Sequence, residues 1–522
     1  MKSIKRIIAL LLTAVMTMTM SVTAFAVNTN NNSLTVNVKS TTPTQDLKGQ
    51  TINLYKLFDL TTSKSGETTN YAYTVNKATG YKDALKASLG ISLTGTTDED
   101  YAKAVLALKD TEGAVQKFAN DFTAKALTGN LTATETSGKI TEANKISYTF
   151  SNLAAGYYLV YVTGSKEIQS SLVTVDGETT VSLKTEAPSI TKKADKETVS
   201  IGQIVKYTVT GSVPDTTGYA QYVYKIHDEL STGLDFVKNA NGDALGNATE
   251  LNVTVAFKEA GVTAVGTTPT TATLDTANKR KMALDLSAWV RANQTNKGKD
   301  FTVTYYAKVN KDAVVTEKNK AQLEYGNKPG ETTTTTPSEA KTPTYPLDIN
   351  KHIKGEKTSR LAGAKFKLYS KKSDAVAINE QAIKVSAVAG EAGKYVVDPT
   401  STSTEFESVE SITAADGYNL RVNGLAAGTY YLVETEAPAG YNKLSAPIEI
   451  KIEKSTDSND VNKWTISKDG TVENDKIIDV ENSTGSILPS TGGMGTIAFA
   501  VVAAILVFGV AVSFIRDKKR EN

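Results

Sequence analysis

Apolar residues recur at every second position along most of the chain. In FTVTYYAKV (301–309), Phe301, Val303, Tyr305, Ala307 and Val309 share one face. In NKAQLEYGN (319–327), Asn319, Ala321, Leu323, Tyr325 and Asn327 do the same. This period is that of a half-buried strand. Thr and Val are plentiful and Gly, Asn and Asp punctuate the runs, so the pattern predicts an all-β chain of tandem immunoglobulin-like sandwiches. Helical spacing is scarce, and its best candidate is Asp98–Phe122, where Ala104, Leu106, Leu108, Val115 and Phe118 line up. That stretch predicts a short helical insertion in the first domain.

Two apolar runs break the alternation, one near each end. Ile7–Met20 follows Lys2, Lys5 and Arg6 and precedes Ala24-Phe25-Ala26, the layout of a secretory signal over residues 1–26 with Val27 as the new start. Residues 496–515 carry no charge, and as a helix they reach about 30 Å, the thickness of a bilayer core. Arg516, Lys518, Lys519 and Arg520 follow and would stay cytoplasmic. Pro and Thr interruptions at Ala187-Pro188 and along 332–346 divide what lies between, and each precedes a similar restart, PSITKKADK (188–196) and PLDINKHIK (346–354). The expected domains are 27–187, 188–343 and 344–486, with 487–522 as a terminal segment.

Composition narrows the chemistry. The 522 residues suit three or four domains. Lys+Arg 58 nearly balance Asp+Glu 56, and without its two basic ends the body is weakly acidic, which argues against nucleic acid as a partner. With no cysteine there is no disulfide, thiol catalysis or thiolate metal site, and two histidines leave little for imidazole chemistry. No cofactor and no metal is expected. The acids are scattered among lysines on polar strand faces rather than paired in a cleft, which reads against a surface hydrolase.

Leu488-Pro489-Ser490-Thr491-Gly492, followed by the apolar span and basic tail, resembles the cell-wall sorting signal of Gram-positive surface proteins. The resemblance implies that a sortase cuts between Thr491 and Gly492 and passes the Thr491 carboxyl to an amine. It also implies attachment to peptidoglycan, with the membrane anchor transient.

The stretch YYLVETEAPAGY (430–441), with LAGAKFKLY (361–369) upstream and VEN (480–482) downstream, resembles the B-type repeat of collagen adhesins (CnaB) and the E-box of Gram-positive pilins. That family joins a lysine to an asparagine through an amide bond, assisted by a carboxyl. Carried over, Lys351 is the amine, Asn482 the amide and Glu434 the catalyst. Residue types alone make the reaction sensible. Burial lowers the pKa of an amine and raises that of a carboxyl, and folding supplies the effective molarity. The pattern alone fits equally a buried Lys–Glu ion pair with Asn hydrogen-bonded beside it.

VSIGQIVKYTVTGSVP (199–214), HDELSTGLDF (227–236) and NKAQLEYGN (319–327) resemble the isopeptide-forming domain of the same pilins. By position Lys192 is the amine, Asp228 the carboxyl and Asn319 the amide, each bond clamping the first strand of its domain to the last. Lys193 adjoins Lys192, and Asn327 shares a face with Asn319. His227 reads as an exposed turn residue, and His352 falls on the face opposite Lys351. In the first domain LAAGYYLVYVTG (153–164) matches the Tyr-Tyr-Leu-Val strand of 430–433, but Tyr161 stands where that family's carboxyl would be. No internal bond is expected there, and Asn152, Lys39 and Lys56 are ordinary residues.

A shaft pilin also needs an acceptor lysine. The corresponding place reads VSLKTEAP (181–188) and offers Lys184, while Lys351, preceded by Tyr345-Pro346, competes. The expectation is a non-enzymatic shaft subunit of a sortase-assembled surface pilus. Its partners would be sortase, further copies of itself, minor tip or basal pilins, peptidoglycan and host or matrix ligands. The alternative is a monomeric wall-anchored adhesin that binds a ligand through its first domain.

Overall fold

A computed structural model describes residues 31–39, 46–65, 68–90, 95–163, 170–183, 187–217, 219, 221–328, 331–412 and 417–485. The signal segment, Lys184, Leu488–Gly492 and the apolar run 496–515 lie outside the described residues. Among the described residues no helix is long and apolar enough to cross a membrane. The chain forms two compact units that meet at Thr344/Tyr345.

The first unit holds two sets of sheets, and no sheet mixes strands from before and after residue 187. In the first set, Asn32–Asn37 lies between Ser147–Leu153 and Glu178–Ser182. A five-stranded sheet faces it, centred on Thr51–Ser65 and Gly156–Val162. All but one residue of GYYLVYV (156–162) is buried, because both faces of that strand are covered. Tyr158, Val160 and Val162 pack against Leu34, Val36 and Phe150 of the facing sheet. Leu159 and Tyr161 pack against three helices, Tyr81–Leu89, Asp98–Ala107 and Ala114–Thr128.

The helical region differs from the single run expected. Asp98–Ala107 opens with a reciprocal cap, in which Thr97 Oγ1 accepts from the Asp100 amide and Asp100 Oδ2 accepts from the Thr97 amide at 2.8 Å. It then tightens into a 3₁₀ turn at Leu108–Asp110, and the next helix starts only after Gly113 at φ 76. Helix Tyr81–Leu89 was not anticipated.

The second set is a sandwich. One sheet runs Leu234–Val237, Asp300–Val309, Ile204–Ser212, Thr191–Ala194. The other contains Tyr224–Leu230 beside Lys318–Lys328. Asp300–Val309 buries every second residue, as its sequence predicts. The tract 332–346 is no plain linker: Glu331–Thr334 and Ser338–Lys341 both pair with Lys318–Lys328. Asn319 is therefore not on the last strand of its domain. His227 is not in a turn either. It sits within Tyr224–Leu230 on the outward face, against Glu324 at 2.8 Å.

The second unit is another two-sheet sandwich. Tyr345–Ile353 pairs antiparallel with Leu420–Leu425 and parallel with Ile477–Asn482. The opposite sheet is built on Lys365–Tyr369, Gly428–Glu436 and Ile448–Glu453. Arg421 holds Asp348 with two parallel bonds, 2.5 and 2.7 Å, across the first strand pair.

Candidate functional site

Each of the two carboxyl-terminal sandwiches brings a buried lysine, a buried acid and a buried asparagine together in its core. In the middle domain the strand Thr191–Ala194 turns Lys192 inward and Lys193 outward. Lys192 pairs with Val209 in its own sheet, and Tyr207 and Tyr305, opposite each other on the neighbouring strands, flank it. Its Nζ lies 4.9 Å from the Tyr207 ring centre and 4.7 Å from that of Tyr305. The facing sheet supplies the other two groups. Tyr224, Ile226, Asp228 and Leu230 point inward by alternation. Asn319 pairs with Leu230 and Ala321 with Asp228, so Asp228 and Asn319 are diagonal neighbours on one face.

Lys192 donates to Asp228 Oδ2 and to the Tyr305 hydroxyl, and that hydroxyl donates to Asp228 Oδ2 at 2.5 Å. The side chains of Lys192 and Asp228 are closed to solvent, and Asn319 and Tyr305 are fully buried. Burial sets the protonation. It lowers Lys192 to about 8 against the pull of Asp228. It raises Asp228, with Lys192, Tyr305 and Asn319 opposing. It also pushes the Tyr305 phenol well up, so that group stays neutral. Asn319 therefore lies close enough to be felt by Asp228, yet neither atom of its carboxamide closes a hydrogen bond of good geometry, and Asp228 Oδ1 is also unpartnered. Buried amides without partners are uncommon, because each forfeits about 1–3 kcal/mol of hydration.

In the second unit Lys351 is fully buried on the central strand, and its Nζ donates to Val480 O at 3.1 Å. Glu434 reaches in from the other sheet, with Oε1 3.8 Å from Lys351 Nζ. Its Oε2 accepts from the Leu444 amide at 2.8 Å and from Asn482 Nδ2 at 3.0 Å. Asn482 Nδ2 also donates to Asn442 O, while Asn482 Oδ1 has no partner. Burial lowers Lys351 to about 8, with Glu434 opposing. Asn419 fixes the strand. It accepts from the Lys351 amide at 2.7 Å and donates to the carbonyls of Lys351, Leu361 and Val409. His352 is fully buried on the other face, its Nδ1 2.8 Å from Ile353 O and its Nε2 3.4 Å from Asp479.

The two pockets use their sheets differently. In the middle domain the amine stands on one sheet and the amide on the other. In the second unit Lys351 and Asn482 stand on adjacent parallel strands of one sheet, where Lys351 aligns with Val480 and Ile353 with Asn482. An amine held near 8 is about one-tenth free base at pH 7, enough to attack a neighbouring carboxamide carbon.

Among the described residues the first domain carries no such trio. Tyr161, in the acid's place, is buried with its phenol pushed well up by burial. No Lys, Asp or Glu is buried among the described residues before 187. Lys39 and Asn152 are exposed, and Lys56 pairs with Asp59 at 2.5 Å. Sequence reasoning overlooked Tyr305, Asn419 and the Asn442–Leu444 backbone. Tyr305 was legible only as a core position in an alternating strand.

Residues 347–468 match the SpaA prealbumin-like fold domain family. That span includes Lys351 and Glu434 and stops short of Asn482. Over 415 residues the chain is 26% identical to the trypsin-resistant surface T6 protein of Streptococcus pyogenes serotype M6, covering 68% of this chain and 73% of that protein. Among solved structures it is similar to the major pilin SpaA of Corynebacterium diphtheriae, with TM-score 0.42 and 17% identity over 87% of this chain and 100% of that one. It is similar also to the pilus 2b backbone protein of group B streptococcus, with TM-score 0.36 and 22% identity over 57% of this chain and 99% of that one.

Proposed function

We propose that the chain is a structural subunit of a covalently polymerised surface pilus, stiffened by internal amide bonds between Lys192 and Asn319 and between Lys351 and Asn482. The observation that carries this reading is the pair of closed pockets, each holding an amine lowered to about 8 beside an acid and a buried carboxamide. A plain ion pair would leave Asn319 buried and unsatisfied for no gain. The SpaA-type domain match and the similarity to a streptococcal surface protein favour the same reading.

The chemistry is aminolysis of an amide. The ammonium passes a proton to the acid, the free amine attacks Cγ of asparagine, and ammonia leaves. The acid, Asp228 or Glu434, carries the proton and supports the developing oxyanion. The reaction runs once per site, so the protein is a sortase substrate and not an enzyme. Between subunits, Thr491 would be transferred by sortase to Lys184, or at the last subunit to the cell wall.

Two measurements test this. The intact mass of the secreted body, residues 27–486, falls short of the sequence mass by two ammonia; an unshifted mass refutes the internal bonds. Wall extracts of cells carrying sortase give a ladder on denaturing gels, which Lys184→Ala collapses to one band. A ladder that persists shifts the acceptor to another lysine, and the absence of any ladder in wild type favours the monomeric adhesin.

A further inference from the structure

The two acids do not reach the same atoms. Glu434 spans its pocket, with one oxygen 3.8 Å from Lys351 Nζ and the other 3.0 Å from Asn482 Nδ2. One carboxyl thus addresses both the attacking and the leaving nitrogen. Asp228 is a methylene shorter. Its Oδ2 is taken by Lys192 and Tyr305, and neither it nor the Tyr305 hydroxyl closes a hydrogen bond of good geometry to Asn319, which lies beside both. The middle domain therefore adds to its acid a hydroxyl that touches the amine.

We propose that the Tyr305 hydroxyl, which touches both the amine and the acid, carries the proton from the amine to the leaving nitrogen and is a catalytic residue of the middle-domain bond. The inference rests on the isopeptide reading above. Its oxygen touches Lys192 Nζ directly, and Asn319 lies within its electrostatic reach. The balance is as follows. Lys192 first gives one proton to Asp228, leaving amine and acid. The amine attacks Cγ of Asn319, and Nζ then carries one proton more than an amide nitrogen needs. The Tyr305 oxygen accepts that proton from Nζ as its own hydroxyl proton passes to Nδ2. The Cγ–Nδ2 bond breaks, ammonia departs and takes up the proton held by Asp228, and Tyr305 ends as the phenol it began as. The ring is held for this role. It stacks on Tyr207 with centroids 6.0 Å apart and meets Phe236 edge-on at 5.9 Å, so the hydroxyl has little freedom to turn away.

The test is a time course of bond formation in the full-length chain made by cell-free synthesis, quenched at intervals and mapped for the peptides joined at 192–319 and 351–482. Tyr305→Phe keeps the ring and removes only the hydroxyl. The expected result is a 192–319 bond slowed at least tenfold, with the 351–482 bond at the wild-type rate as internal control. Adding Asp228→Glu to Tyr305→Phe lengthens the acid to the reach of Glu434 and restores the rate, which a purely structural tyrosine would not permit. Equal rates in wild type and Tyr305→Phe overturn the inference while leaving the isopeptide reading intact, and so does a double variant no faster than Tyr305→Phe. A wild-type chain with no 192–319 link overturns that reading itself.

Discussion

Replacing Asn482 with alanine removes the carbon that would receive Lys351 and leaves Lys351 and Glu434 in place. In the linked chain the bond closes a ring of about 130 residues, and its loss returns about 5 kcal/mol of chain entropy to the unfolded state. The variant also regains a titrating amine. Burial holds folded Lys351 at about 8 against 10.5 for an ordinary lysine. The folded value lies below the unfolded one, so between them the unfolded chain binds a proton that the folded chain does not. Stability of the variant therefore rises with pH across that window, and the full penalty, about 3 kcal/mol, is present below its lower edge. Against wild type the variant loses about 8 kcal/mol at neutral pH and about 5 kcal/mol above the window. The assay is guanidinium unfolding at a series of pH values, followed by Trp464 in a Trp289→Phe background, since the chain has two tryptophans. Two outcomes refute the reasoning. One is a variant that unfolds within about 1 kcal/mol of wild type at neutral pH. The other is a wild type whose stability climbs across the window as the variant's does, because an amide nitrogen does not titrate.

Other consequences are simpler to read. Lys192→Ala restores one ammonia to the intact mass, while Lys193→Ala, on the outward face, leaves the mass unchanged and stability within about 0.5 kcal/mol. Ile378 caps helix Lys372–Ala377 at φ 49, a left-handed conformation that a β-branched side chain resists, and it is 44% exposed. Ile378→Asn should stabilise the second unit by about 1 kcal/mol, read from the same Trp464 transition, and a loss of stability would show that the turn tolerates isoleucine without strain. Glu434→Ala should leave the 351–482 link unformed while the 192–319 link forms normally, as peptide mapping would show.

The sandwiches were legible because one-sided burial writes period two directly into the sequence, as in Phe301–Val309. Where both faces are covered the code fails. GYYLVYV looks like any apolar run, and only the structure assigns Tyr158 to one layer and Leu159 to the other. The helix Tyr81–Leu89 was missed because it is short, although Tyr81, Ala84, Leu85 and Leu89 are the buried residues and sit at helical spacing. The apolar spacing over Asp98–Phe122 runs on through Gly113, whose φ of 76 restarts the helix. Thr and Pro in 332–346 suggested a linker, but threonine suits an edge strand equally, and two such strands form. In the pockets, the family resemblance named the lysine, acid and asparagine that the structure brings together. The sequence could not distinguish the hydroxyl of Tyr305 from the other tyrosines, because a core tyrosine and a proton-carrying one alternate alike.

The placement of the two proposed rings would bear on how the chain survives damage. With 192 joined to 319 and 351 to 482, a protease that cuts inside either ring leaves both pieces attached through the side-chain amide. Only a cut outside the rings severs the strand, and between them that exposes residues 320–350 alone. Much of that stretch is not slack. Glu331–Thr334 and Ser338–Lys341 are hydrogen-bonded along Lys318–Lys328, and Tyr345–Ile353 is already a central strand of the next sandwich. Backbone held in a sheet cannot bend into a protease cleft without first peeling away, so most of the described backbone between the proposed rings is also pinned down.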